Sequence, residues 1–410
     1  MTKYACRICS SPNHDLILDF GQVALADSFL TSESAIESEM CYPLTLVHCN
    51  DCLHVQIKEV LDPNLLFVDY VWETGIPASI KRYCTQFADS LNERLTIEGK
   101  IPKILEIASN DGTMLREFKS RGFDIVGVDP AKNIAQKANA SGIPTVADFF
   151  GERVAQKLLA SDGKRDVIVA RNVLAHVADL HGLVSGIRLL LADKGIAIIE
   201  VPHLLTTYNE LQYDQVFHEH IGYHSLDSII RLFRMHGLAV WDVEQTWIHG
   251  GTLRAYISHT AAGRCPSSAV ADMLLTEKKS GILDSDGWKR FGDLARRQRH
   301  LLRQELTSLQ SAGKTVIGYG ASGKGQSMIQ FCQLDSSLVR YIVDKSQSKI
   351  GKVTPGSHIP IVSPDLMRND SVDVVLLFAW NFVDEILAQE SAMVARGVRF
   401  LHPIPEPHYV

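Results

Sequence analysis

Ile101-Pro102-Lys103-Ile104-Leu105-Glu106-Ile107-Ala108-Ser109-Asn110-Asp111-Gly112-Thr113 is the stretch that decides how the middle of this chain folds. Ile101–Ala108 reads as a buried strand, and a helix begins near Thr113. Between them lies a sharp turn, and such a turn brings backbone close to a ligand at the carboxyl end of a strand. Glu106, Ser109, Asn110, Asp111 and Gly112 are therefore candidate ligand-binding residues. Only Gly112 matches a glycine fingerprint, so an ordinary strand-to-helix turn is an equal reading of this segment alone. Phe123–Val128 is the next strand, and Asp129-Pro130 closes it. A carboxylate at that point can accept both hydroxyls of a ribose. The turn lacks a phosphate-cradling glycine cluster, which suits a nucleoside ligand that carries no phosphate.

Two further apolar strands follow, Asp166–Ala170 and Gly195–Val201, split by a helix around Leu183–Leu191. Continuous apolar strands alternating with amphipathic helices predict a parallel sheet covered on both faces. Arg171-Asn172-Val173-Leu174-Ala175-His176 places Asn172 and His176 at the carboxyl edge of that sheet, where ligands of open sheets bind. A lone histidine there is more often a satisfied structural residue, but Asn172 four positions earlier favours a functional reading of His176.

Outside this core the texture changes. Residues 1–95 look irregular and hold two cysteine pairs, whereas 266–312 carry Trp288, Phe291, Leu294, Leu301, Leu302, Leu306 and Leu309 at helical spacing, as one long bridging helix would. A second strand–helix alternation begins at Lys314–Gly318 and continues through Val339–Asp344, Val372–Trp380 and Val398–Pro403. The expected architecture is α/β in three parts: an N-terminal zinc-binding module over 1–75, a central Rossmann-like domain over 76–262, and a bridging helix with a second Rossmann-like domain over 263–410. A chain of 410 residues is long enough for two to three cores.

Charge and composition exclude some functions. A formal charge of -6 with no Lys/Arg run gives no field for nucleic acid. No stretch approaches eighteen apolar residues, so no membrane span is expected. Met1-Thr2-Lys3-Tyr4-Ala5-Cys6 lacks the apolar core of a signal peptide, which predicts a cytoplasmic, reducing setting. In that setting the eight cysteines speak for metal or free thiols. Cys6-x-x-Cys9 and Cys49-x-x-Cys52 form two knuckles whose thiolates would complete a tetrahedron around zinc. Cys41, His48 and His54 are possible substitutes, and buried free cysteines are the alternative. A redox pair is disfavoured because no βαβ pattern surrounds either knuckle.

Phe217-His218-Glu219-His220 follows the fifth strand in a loop rich in Tyr213, Asp214, Tyr223 and His224. A metal site or a structural cap would use such residues. Acid–base work is the favoured use, because imidazole titrates near neutrality and an adjacent carboxylate orients it. Gly318-x-Gly320-x-x-Gly323 follows a strand, and Asp344 closes the next one at the distance of a dinucleotide fingerprint. Read alone, that motif predicts NAD binding and an NAD(P)-dependent oxidoreductase or epimerase. A diphosphate on the helix N-terminus, with Lys324 adding charge, is an equal use of it, and a purely structural turn is the third.

Taken together, these blocks resemble the sugar C-methyltransferases that build branched deoxysugars of the tetronitrose and mycarose type, and the likeness runs end to end. Its carriers are the two knuckles, Gly21-Gln22-Val23-Ala24-Leu25-Ala26-Asp27-Ser28-Phe29, Ser109-Asn110-Asp111-Gly112-Thr113, Asn172-Val173-Leu174-Ala175-His176 and Phe217-His218-Glu219-His220. His249-Gly250-Gly251-Thr252-Leu253-Arg254, Gly318-Tyr319-Gly320-Ala321-Ser322-Gly323-Lys324-Gly325 and Ala379-Trp380-Asn381-Phe382-Val383-Asp384-Glu385-Ile386 complete the set. The resemblance implies a structural zinc, S-adenosylmethionine (SAM) bound by the central domain, and a nucleotide-linked keto-deoxysugar held partly by the C-terminal domain. It implies methylation of the carbon beside the ketone through an enolate, with His220 as base and Glu219 and His176 beside it. SAM would be met by Glu106, Ser109, Asn110, Asp111, Gly112, Asp129, Pro130 and Asn172. The sugar nucleotide would be met by Tyr70, His203, Tyr223, Gly320, Ser322, Lys324 and Asn381. Two positions depart from the family, which commonly has Tyr where this chain has Phe217 and His203. A phenol that would donate to the enolate oxygen is missing, and His203, Tyr213 or Tyr223 are its expected replacements. A monomer is compatible with the sequence, which does not fix the oligomeric state.

Overall fold

The computed structural model describes residues 4–31, 33–67, 74–75, 78–94 and 101–410, so Tyr70 lies outside the described residues. Three sheets organise the chain. The N-terminal sheet is antiparallel and begins with β1 (His14–Ala24), β2 (Cys41–Cys49) and β3 (Val55–Ile57); its fourth strand, Gly222–Tyr223, comes from far along the chain. Residues 1–95 are therefore more regular than their sequence suggests. The period-two pattern of β1 is broken by register shifts between Leu16 and Leu18 and between Asp19 and Gly21, and each bulge moves the following side chains to the other face. Ala78–Arg94 forms a helix in the same section, and its Ile80, Tyr83, Phe87 and Leu91 pack beneath the central sheet.

The central sheet holds β4 (Lys103–Ile107), β5 (Asp124–Val128), β6 (Thr145–Val146), β7 (Arg165–Arg171) and β8 (Leu191–Pro202), with Gly222–Tyr223 counted as β9, then β10 (Leu238–Thr246) and β11 (Thr252–His259). Its order is β10-β11-β8-β7-β4-β5-β6, with β4 to β8 parallel and β11 antiparallel to both neighbours. Leu105, Ile168, Val169 and Ala170 are fully buried, as strands covered by helices on both faces require. The chain runs outward from β4 to β6 and returns to β7, so the strand order reverses between β4 and β7. A crevice opens at such a reversal. Ala108, Asn110, Gly112 and Asn172 all take positive φ at this edge, and left-handed non-glycine residues gathered at one sheet edge are a mark of a functional turn.

The C-terminal sheet runs β14-β13-β12-β15-β16-β17, built from β12 (Val316–Tyr319), β13 (Ile342–Val343), β14 (Ile361–Val362), β15 (Val374–Leu377), β16 (Arg399–His402) and β17 (His408–Tyr409). All neighbours are parallel except β16 and β17. The single bridging helix expected over 266–312 is two helices, Ser268–Ser280 and Ser285–Ser311. Gly281 at φ 93° ends the first, and the Asp284 carboxylate caps the second by accepting from the Gly287 N–H at 2.5 Å. Helical spacing of apolar residues continues across the break, which is why the sequence pattern hid it. One hydrophobic core joins Leu18, Leu44 and Ile57 of the N-terminal sheet to Trp288, Phe291 and the C-terminal strands, while Cys6, Ile8, Cys49 and Cys52 pack with the central sheet. No helix among the described residues is long and apolar enough to cross a membrane.

Candidate active site and metal centre

Cys6, Cys9, Cys49 and Cys52 converge so that their sulfurs all lie within 4.8 Å of one another. Cys6 and Cys52 are 3.4 Å apart, and Cys9 and Cys49 are 3.6 Å apart. Those separations are too long for disulfides and close to the ~3.8 Å edge of a tetrahedron with zinc–sulfur bonds of about 2.3 Å. Four thiolates fill every position, so the site fits a structural zinc and leaves none open for chemistry. Between the first two ligands, Arg7 donates to Gln56, Ile57 and Ile221 carbonyl or amide oxygens, which fastens the knuckle to the strand that closes the N-terminal sheet.

At the reversal point of the central sheet, polar groups sit inside an apolar wall. The Asp129 carboxylate accepts from the Asn110 N–H at 2.8 Å and the Ala131 N–H at 2.9 Å. A carboxylate has about four acceptor positions, so room remains for a diol. Burial raises the Asp129 carboxyl, and raises Glu106 to about 7 against the pull of Arg171. Arg171 donates to Oε1 of Glu106, while Oε2 is buried with no protein partner, as are Oγ of Ser109 and Oδ1 of Asn172. Buried acceptors left over at a sheet switch point are what an absent polar ligand leaves behind. Other members of the predicted set bond or pack against the protein itself. Asn110 Oδ1 accepts from the Thr74 N–H and Asp111 Oδ2 from the Gly75 N–H, at 2.8 and 2.9 Å. Ser109 Oγ lies against Gly127, and Gly112 stands at φ 75° where a Cβ would strike Ile143 at 2.8 Å. Pro130 lies half-buried beside Asp129.

Phe217–His220 is a tight turn closed by the His220 N–H donating to the Phe217 carbonyl at 2.9 Å. The next residue, Ile221, donates to the Ala175 carbonyl at 2.7 Å, so the turn is tied to the loop that carries His176. The two imidazoles meet edge to face at 4.8 Å, and Phe217 packs on His220 at 4.1 Å. Nδ1 of His220 lies 3.1 Å from the Gln215 carbonyl oxygen. A carbonyl only accepts, so Nδ1 carries a proton and donates it. Burial lowers His176 to about 4 and keeps it neutral at pH 7. His218 is an anchor, with Nε2 donating to the Pro43 carbonyl at 3.0 Å.

Three expected donors are already engaged within the fold. His203 is fully buried, and its nitrogens are both taken, Nε2 by Glu277 at 2.8 Å and Nδ1 by Gln245 at 3.0 Å. The Tyr223 hydroxyl donates to the His220 carbonyl at 2.8 Å and braces the turn from below. Tyr213 is likewise spent, its hydroxyl donating to Gln298 at 2.6 Å. None of the three stands ready for an enolate oxygen.

The C-terminal glycine turn lies against this loop. A Cβ on Gly323 would come within 3.5 Å of the Phe217 ring, and Ser327 on the following helix donates to the Val216 carbonyl. Gly318 and Gly320 answer to packing, since a Cβ there would meet Phe378 and Ala379 at 2.5 Å. Ser322 caps the helix through the Gly325 N–H at 3.2 Å. Lys324 points inward, 5.3 Å from the Trp380 ring and facing the carboxylates of Asp214 and Glu210. Asn381 is half-buried in the turn that follows Trp380. Asp344 accepts from the Ala321 and Ser346 N–H groups, both at 2.8 Å, so the acidic residue of the dinucleotide fingerprint holds the loop. Gln215 and Glu277 escaped the sequence reading, because nothing in their spacing marks them, while Asp27 and Asp214 stood in quoted segments with no role attached.

Comparison with known proteins decides among the readings. C-methyltransferase NovU of Streptomyces niveus is 34% identical over 406 residues, covering 99% of this chain and 96% of that protein. This chain belongs to the C-methyltransferase family. The family models agree: residues 6–67 match a zinc binding domain, 80–243 a methyltransferase domain, and 247–405 a C-methyltransferase C-terminal domain. The oxidoreductase reading of the glycine turn gives way, and the C-methyltransferase takes SAM as cofactor and zinc in its N-terminal module. Part of the chain is also similar to two solved methyltransferases. Magnesium protoporphyrin IX methyltransferase of Synechocystis is 14% identical, with a TM-score of 0.33 over 46% of this chain and 86% of that one. A methyltransferase of Clostridium acetobutylicum is 12% identical, with a TM-score of 0.34 over 45% and 93%.

Proposed function

We propose that this C-methyltransferase methylates the carbon beside the ketone of a nucleotide-linked keto-deoxysugar. His220 is the base. The observation that carries the reading is the hydrogen bond that orients His220: Nδ1 donates to the Gln215 carbonyl, which assigns the base role to Nε2, beside a neutral His176 and at the seam between the central sheet and the C-terminal glycine turn. In the proposed step Nε2 takes the proton α to the carbonyl. The C–H electron pair moves into the carbon–carbon bond, and the carbonyl oxygen takes the charge. On methylation that pair forms the new C–C bond and the ketone returns.

Bound SAM supplies an electrophilic methyl group. Asp129 receives the ribose diol, while Asn110, Asp111, Gly112 and Pro130 shape its pocket wall, and Glu106, Ser109 and Asn172 offer buried acceptors to the rest of the ligand. Holding the two reactants in line accounts for much of the acceleration. The nucleotide end of the sugar substrate falls to the C-terminal domain, at the N-terminus of the helix that begins at Gly323 and Lys324, with Gly320, Ser322 and Asn381 framing the turn. Tyr70 belongs to the same proposal by family resemblance. A cytoplasmic setting fits free thiolates in the zinc module.

The test is methyl transfer from radiolabelled SAM to a panel of thymidine- and guanosine-diphosphate 4-keto-6-deoxyhexoses, with calorimetric titration of SAM and NADH alongside. Label appearing on carbon of a keto-sugar supports the reading. SAM binding without transfer to any member of the panel would sink the sugar assignment.

A further inference from the structure

Two carboxylates in this chain are held in the same way. At the end of β5, Asp129 accepts from the N–H of Asn110, in the turn after β4, and from that of Ala131, two residues on. At the end of β13, Asp344 accepts from the N–H of Ala321, in the turn after β12, and from that of Ser346, two residues on, both at 2.8 Å. The strands around them match as well. β12 pairs in parallel with β13 and β13 with β14, and the chain then returns to lay β15 along the other side of β12. The C-terminal sheet thus has its own reversal of strand order beside the glycine turn, where a ligand crevice opens. Each oxygen of the half-buried Asp344 accepts one N–H. A carboxylate has about four acceptor positions, so each oxygen keeps one for a ligand hydroxyl. We propose that Asp344 receives the 2′- and 3′-hydroxyls of the acceptor's nucleoside, so that the keto-sugar is carried on a ribonucleoside diphosphate in preference to a 2′-deoxyribonucleoside diphosphate. This rests on the nucleotide-sugar reading above and names the nucleotide it takes.

Charge distinguishes the two turns. Ser109-Asn110-Asp111-Gly112 carries an acidic residue and no cation, which suits a ligand without phosphate. Gly320-Ala321-Ser322-Gly323-Lys324 ends in a cation, and Lys349 donates to the Ala321 carbonyl at 2.7 Å. Two ammonium groups at a helix N-terminus suit a diphosphate. The protein groups also follow one another in the order of the ligand's own parts. His220 packs on Phe217 at 4.1 Å, a Cβ on Gly323 would lie 3.5 Å from the Phe217 ring, and Ala321, two residues before Gly323, donates to Asp344. Base, helix N-terminus and carboxylate form a row, as keto-sugar, diphosphate and ribose do. A 2′-deoxyribose would bring one hydroxyl to a carboxylate placed for two. A site built to bond a hydroxyl discriminates against the analogue that lacks it, and for a charged acceptor the loss is roughly tenfold or more in affinity.

Binding of nucleoside diphosphates to the full-length, zinc-loaded protein tests this without turnover. Uridine, cytidine and guanosine diphosphates are titrated calorimetrically beside their 2′-deoxy counterparts, with SAM present. At least one ribonucleotide should bind roughly tenfold more tightly than its 2′-deoxy form. Asp344→Asn, which removes the charge and one acceptor oxygen, should bring that pair to within about twofold of each other while SAM affinity stays at the wild-type value. The ratio within a pair is the readout, because a merely loosened loop would weaken both members alike. Equal affinity within every pair in wild type overturns the proposal and needs no variant, and it leaves the nucleotide-sugar reading standing. A ratio that survives in Asp344→Asn overturns the assignment to Asp344. If wild type binds none of these nucleotides, the nucleotide-sugar reading fails and the ribose assignment falls with it.

Discussion

Nε1 of Trp380, in the C-terminal domain, donates to Oδ2 of the fully buried Asp214 at 2.7 Å. Asp214 stands at the head of the loop that ends in His220, so this bond ties the C-terminal glycine turn to the position of the base. Trp380→Phe removes the donor, while Lys324 still faces Asp214. A buried acceptor stripped of one partner costs about 1–3 kcal/mol. The expected outcome is a KM for the acceptor raised several-fold with SAM affinity nearly unchanged, read from steady-state rates and calorimetry.

His220→Ala should lower kcat by about 10²–10⁴, the usual worth of a positioned base, while SAM still binds. His220 makes no bond to the Asp129 edge among those described, so cofactor affinity is the control. Turnover at the wild-type rate would remove His220 from the base role.

Asp129→Ala should weaken SAM binding tenfold or more. The substitution removes the diol acceptor and also strands the N–H groups of Asn110 and Ala131. Calorimetric titration with SAM measures it, and an unchanged affinity would put the cofactor elsewhere.

Removing zinc should destabilise more than the knuckles. Cys6, Ile8, Cys49 and Cys52 pack into the same core as Leu105 and Ile168, so the loosened loop exposes a flank of the central sheet. Cys49→Ser, or prolonged chelation, is expected to lower Tm by at least about 5 °C, the equivalent of a few kcal/mol in a domain of this size. Calorimetry with metal analysis on the same sample checks it.

Buried His224 supplies a pH signature. Burial lowers it to about 4, whereas an unfolded histidine takes its proton near 6.5. Its contribution is therefore present above about pH 6.5 and is lost as pH falls toward 4. Relative to His224→Gln, wild type should lose up to roughly 3 kcal/mol across that window, at 1.36 kcal/mol per pKa unit. Denaturant unfolding of both proteins at pH 7 and pH 4.5 measures the difference.

Much of this was legible in the sequence because local signals carried it. The strands from Lys103 to Pro202 are near-continuous apolar runs, and the paired cysteines announce their ion by spacing alone. The N-terminal sheet was not legible, because two bulges scramble the alternation of β1 and its last strand comes from residues 222–223. The break at Gly281 was hidden by an apolar stripe that is in phase on both sides. At the site, residue types were readable and partners were not. His203 and Tyr223 look like free donors until Glu277, Gln245 and the His220 carbonyl are seen to occupy them.

The pairing of Val55 with Tyr223 and of Gln56 with Gly222 has a consequence during synthesis. Translation runs from the N-terminus, so the first three strands leave the ribosome long before their fourth exists. Until residue 223 has emerged, the outer edge of Val55–Ile57 in the nascent chain presents unpaired backbone groups to its surroundings. An edge of that kind recruits other strands. The thiolate knuckles close within the first 52 residues and can hold that half-built sheet in register while the remainder is made. A metal held there would thus serve a folding intermediate first, one completed by the strand that directly follows the His220 turn.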